Sequence, residues 1–114
     1  MKTQSWHSGF VKSLEEASDI GAQRAAWVDR TSIHFPEPTE LICQIFDDSG
    51  VDDLLAEGVV FSDTTDAALR RLSELAARLD LDQAPERLIS SEGWIQFALE
   101  TARVLALVRE DLAK

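Results

Sequence analysis

"SDTTDAALRRLSELAARLD", residues 62–80, decides the fold class. Ala68, Leu69, Leu72, Leu75, Ala76 and Leu79 recur at intervals of three and four, which lays one apolar stripe along an α-helix. Ser62 or Asp63 stands where a helix needs a side-chain acceptor for its first free N–H groups. Glu74 lies four residues from both Arg70 and Arg78, and each such pair adds roughly a few tenths of a kcal/mol.

The same 3.6-residue period appears on either side. Residues 10–30 place Phe10, Leu14, Ala17, Gly21, Ala25 and Val28 on one face, with Lys12, Glu15, Glu16 and Asp19 off it, and an interruption is expected near residues 19–21. "TSIHFPEP", residues 31–38, cannot continue that helix, because Pro36 and Pro38 push the residue before each out of the helical region. A short helix is expected from Thr39 to about Phe46 and another over residues 51–57, stopped by Gly58. "VVF", residues 59–61, reads as a buried extended link. After "PERLISSEGW" the last helix carries Trp94, Phe97, Ala98, Ala102, Leu105, Val108 and Leu112 on one face and Ile95, Leu99, Val104 and Leu107 elsewhere. Apolar residues on nearly every side imply a central position, or a flank given to a second chain.

No run alternates apolar and polar residues as a half-buried strand does. The expected fold is therefore all-α: a compact single-domain bundle of five or six helices, with short helices in the middle and a largely buried C-terminal one. Residues 1–9 read as a polar leader and residues 10–114 as the domain. At 114 residues and 45% apolar content the chain can bury one core. It has one cysteine, Cys43, and shows neither a signal-peptide pattern nor a membrane-length apolar run, so a reducing, cytoplasmic location is expected.

The densest charge is in "LICQIFDDSGVDDLLAEG", residues 41–58, and its chemistry can be tested by spacing. A calcium loop with Gly50 as its sixth residue would need ligands at Ile45 and Ala56, and neither side chain can supply one. The phosphoryl-transfer pattern Asp-any-Asp would put its second acid at Ser49, leaving no group to handle the proton. Helix-start chemistry accounts for Ser49, Asp52 and Asp53, since a first turn favours anions; Asp47 and Asp48 close the preceding helix. His7, His34 and Cys43 have no zinc or nucleophile spacing, and the five glycines are scattered singly. His34 is expected to be partly buried and hydrogen-bonded, and Cys43, Trp27 and Trp94 to lie in the core. Trp6 either folds back on the bundle or is an exposed anchor. No enzyme, metal or cofactor is expected.

The larger pattern is one of omission. Residues 31–69 contain no lysine or arginine, where the chain's mean content would place about four. They carry nine acids: Glu37, Glu40, Asp47, Asp48, Asp52, Asp53, Glu57, Asp63 and Asp66. The other 75 residues hold twelve acids and eleven bases, so nearly all of the −10 net charge belongs to one third of the chain. Such a segment repels nucleic-acid phosphates and anionic lipid, and attracts a basic protein. These nine acids are the expected partner-binding residues of a small non-enzymatic module, in the class of acidic inhibitor, immunity or adaptor proteins. The alternative is a structural or regulatory subunit that forms homo-oligomers through the wide apolar face around Trp94, Leu99 and Leu107.

Overall fold

In a computed structural model, described over residues 4–31 and 34–114, every regular element is helical. In chain order they are α1 (Ser5–Ser18), α2 (Ile20–Trp27), α3 (Pro38–Cys43), a π-helical turn (Gln44–Asp48), α4 (Val51–Glu57), α5 (Asp63–Ala77), the single turn α6 (Pro85–Leu88) and α7 (Glu92–Leu112). No helix among the described residues is long and apolar enough to cross a membrane.

Local chemistry sets most of these limits. Asp19 breaks the first long helix as expected: its backbone leaves the helical region, and its carboxylate restarts α2 by accepting from the Ala22 N–H at 3.0 Å. Arg30, at φ 57°, takes the left-handed conformation beyond α2, and the Thr31 N–H and hydroxyl both close on the Ala25 carbonyl. Pro38 opens α3, a position where its missing N–H costs nothing. Ser62 caps α5 through the Thr65 N–H, and Ser91 caps α7 through the Trp94 N–H.

Three expectations are corrected. The segment read as a leader is largely helix, because α1 begins at Ser5. The short helix through Phe46 widens into a π turn, and both Ile45 and Phe46 are buried there. The start of α4 is set by Gly50 rather than Ser49. At φ 78° Gly50 occupies backbone space that a Cβ disfavours, whereas the Ser49 hydroxyl donates back to the Ile45 carbonyl and accepts the Val51 N–H. Asp52 and Asp53 do occupy the first turn of α4. Ser32 and Ile33 of the expected connector lie outside the described residues.

The core is built around α7, which packs along α1 and α5. It runs antiparallel to α5: Asp111 near its end meets Ser62 and Thr65, while Gly93 at its start faces Leu79. Trp94, Phe97, Val104 and Val108 are buried on α7; Leu69 and Leu72 meet them from α5, and Phe10 and Leu14 from α1. Burying such side chains is worth about 1.5–3 kcal/mol each, which is why these short helices hold together.

A polar side chain, Gln23, ties this apolar centre together. Gln23 is fully buried and uses both ends of its amide. It accepts from the Trp94 indole N–H at 2.8 Å and donates to the carbonyls of Glu16 and Ala17 at the end of α1, where the break at Asp19 leaves Glu16 only a long backbone bond, 3.4 Å, from the Asp19 N–H. Trp27 packs edge-on against Trp94 and donates to the Pro36 carbonyl. The burial expected for Trp27 and Trp94 is observed; Cys43 is half-buried rather than a core residue, and His34 is exposed where partial burial was expected. Glu74 makes no ion pair with Arg70 or Arg78 among the described residues; Arg70 donates instead to the Leu55 carbonyl of α4.

Candidate functional site

The acids of residues 31–69 divide by burial. Glu37, Glu40, Asp47, Asp48, Asp52, Asp53, Glu57 and Asp63 are exposed. Asp66 is not: at 1% exposure it lies beneath the α4–α5 link and accepts the N–H groups of Val60 and Phe61 at 2.7 and 3.0 Å. Its place among the partner-binding residues is corrected on that ground, since a carboxylate occupied by two backbone donors inside the protein offers nothing to a partner. The helical stripe of α5 gave no sign of this, because the groups that Asp66 serves lie on the preceding link.

Seven of the eight exposed acids sit on the run from Glu37, the residue before α3, to the end of α4, and Asp63 opens α5. Asp47, Asp52 and Asp53 are close enough to interact. Partial burial pushes the Asp52 carboxyl above its ordinary pKa, and the charges of Asp47 and Asp53 push it further. The segment lacks bases in sequence but has them at its borders in space. Arg70 reaches under α4, and Lys12 of α1 shares a cleft with Glu16, His34, Glu40 and Gln44.

At one edge of this surface the N-terminal turn of α1 meets the end of α4. Trp6 is half-buried against His7, Phe10 and Phe61, so it folds back on the bundle while keeping part of its ring in solvent. His7 is buried and accepts the Gln4 N–H on Nδ1 at 2.9 Å. Burial also lowers its pKa, which favours the neutral ring that this bond requires. A cleft of about 290 Å³ opens here, lined by Gln4, Trp6, His7, Leu54, Glu57 and residues 58–60. Trp6 also lines a second depression, of about 250 Å³, that reaches Asp48 and Ser49. The link itself is less buried than expected, because Val59 is 69% exposed. Sequence reasoning overlooked this corner: the polarity of residues 1–9 hid a helix whose Trp6, His7 and Phe10 share one side.

The wide apolar face of α7 is mostly consumed by the core. Trp94 and Val104 are buried and Leu107 is half-buried, which leaves Ile95 and Leu99 as the exposed large residues, with Ala102 and Ala106 continuing the same stripe. No group of three or more His, Cys, Asp or Glu side chains placed to hold a metal ion occurs among the described residues. No protein-family model matches the chain, and no curated protein or solved structure matches it either.

Proposed function

We propose that the chain is a non-enzymatic binding module that presents the exposed acids of α3, the π turn and α4 to a basic protein, in the manner of an inhibitor, immunity or adaptor protein. The observation that carries this reading is the like-charge crowding at Asp47, Asp52 and Asp53. A surface selected for stability alone would place a base there, since each close pair of like charges costs stability. A cationic partner turns that cost into attraction, steers the encounter and relieves the repulsion on binding. Asp66 has no part in this surface.

Capture from a native extract at low and moderate salt, followed by titration of the purified partner, tests the reading. The expected result is a basic protein whose affinity falls with salt and is lost when Asp47, Asp48, Asp52 and Asp53 are changed together to lysine. Failure to capture any basic protein, or full affinity in the charge-reversed variant, overturns it.

The exposure of Ile95 and Leu99 favours a second reading, in which α7 lends a smaller apolar patch to self-association. Sedimentation at rising concentration decides it: a dimer abolished by Leu99→Glu supports this reading, and a strict monomer removes it.

A further inference from the structure

The cleft beside Trp6 has a chemical specificity of its own. His7 is only 3% exposed, and its Nδ1 is occupied as an acceptor by the Gln4 N–H. The proton of the neutral ring is therefore on Nε2. Nε2 bonds to no described residue. No fully buried side-chain polar atom among the described residues is unpaired, so Nε2 keeps access to solvent, on a side chain that lines the cleft, and it can serve there as an N–H donor. Glu57, on the same cleft, is exposed and makes no hydrogen bond or ion pair among the described residues. The same cleft is lined by the half-buried Trp6 and by Leu54, Val59 and Val60. The indole N–H is already used by the Gln4 side chain at 3.0 Å, so the ring contributes surface and its π face rather than a donor.

A ligand for this cleft needs an acceptor for Nε2–H, an apolar stem and a positive charge for Glu57. Its size, about 290 Å³, is at the lower limit of ligand pockets, which run from roughly 300 to 1,000 Å³. That suits one residue of a peptide better than a nucleotide or a large cofactor. We infer that the cleft receives a lysine or arginine residue projecting from the basic partner. Its main-chain carbonyl accepts from His7 Nε2–H, its methylene stem covers Leu54 and Val59, and its cation meets Glu57 beside the Trp6 ring. This assignment rests on the basic-partner reading and adds a seat for a particular residue type to what is otherwise a diffuse charge surface.

The test uses the full chain labelled with ¹⁵N, with His7 Nε2 and the Trp6 indole N–H as reporters. The probes are N-acetyl-lysine methylamide and N-acetyl-arginine methylamide; N-acetyl-norleucine methylamide lacks the charge, and n-butylammonium lacks the carbonyl. The two complete probes are expected to shift both reporters saturably, and each reduced probe to bind roughly two- to fivefold more weakly. Glu57→Gln, at an exposed site where folding is not at issue, is expected to abolish the preference for lysine over norleucine. No saturable shift up to about 10 mM probe, equal binding of norleucine, or an unchanged preference in Glu57→Gln overturns the assignment. The same titration on the variant reversed at Asp47, Asp48, Asp52 and Asp53 separates the two ideas. The cleft is expected to keep its lysine preference there; a variant that loses the partner but keeps the probe leaves the cleft standing on its own. A wild-type protein that binds the partner but no probe removes the cleft alone.

Discussion

Two tryptophans organise opposite ends of this protein, and they do so differently. Around Trp94 the site is closed: the ring is fully buried, its N–H is bonded to Gln23, and Gln23 in turn donates to two carbonyls at the helix break. Around Trp6 the site is open: the ring is half-buried, and among the described residues one ring nitrogen of the neighbouring His7 and the Glu57 carboxylate at the cleft have no bonding partner. A buried polar network with every member bonded specifies one packing of the helices. A polar corner left incomplete has lower stability than it could have, and such incompleteness is what a binding site offers to its ligand.

Breaking the closed end has the largest expected effect. Gln23→Ala removes the acceptor of a buried indole N–H and the donors to two backbone carbonyls, and leaves a void among α1, α2 and α7. Thermal or urea unfolding is expected to register a loss of about 3 kcal/mol. A loss below about 1 kcal/mol would mean that water replaces the amide and that the end is less closed than described.

A smaller effect is expected where α7 is tied to the base of the open end. The Asp111 carboxylate accepts from the Thr65 and Ser62 hydroxyls at 2.5 and 2.9 Å, and the Thr65 bond is the main reason its pKa is held below the ordinary 3.8, with Ser62 and Lys114 assisting. A carboxyl depressed in the folded state contributes stability above its unfolded pKa and loses it as pH falls through the folded-state value. Thr65→Val, which keeps the shape and removes the hydroxyl, is expected to cost about 1.5 kcal/mol at neutral pH. That cost is expected to shrink below pH 3.8, as the acid protonates. A cost that does not change with pH would show that Thr65 contributes packing alone.

The least effect, and the only gain, is expected on the acidic surface. The Asp52 carboxyl is raised by partial burial and then by Asp47 and Asp53, so its charged form opposes folding once the pH exceeds its ordinary value. Asp52→Asn is expected to stabilise the protein by roughly 0.2–0.5 kcal/mol at low salt and neutral pH, less in high salt, and not at all in acid. A loss of stability instead would mean that Asp52 serves the α4 first turn more than it suffers from its neighbours.

Much of the fold could be read from residue order. The bounds of α4, the start of α5, the interruption at Asp19 and the end of α2 before Pro36 all follow from signals within a few residues: a cap, a proline, a glycine, a 3.6-residue period. The acidity of residues 31–69 was equally plain, and eight of the nine acids are on the surface. Less of the candidate site was legible. The polarity of Gln4, Ser5, His7 and Ser8 concealed that Trp6, His7 and Phe10 return to one side of a helix and lean on Phe61.

By itself the sequence determined that the chain is a row of helices and that its negative charge is concentrated in one third of its length, because periodicity, capping and composition are local properties. Tertiary structure alone decided which polar groups are spent on the fold and which remain for a partner. Gln23 finds Trp94 across 71 positions, and Asp111 finds Thr65 across 46. Asp66 turns back to the link before it, while Glu57 and His7 Nε2 find no partner within the described protein. Hydrogen bonding depends on distances of about 3 Å and on direction, and neither is set until the helices have packed.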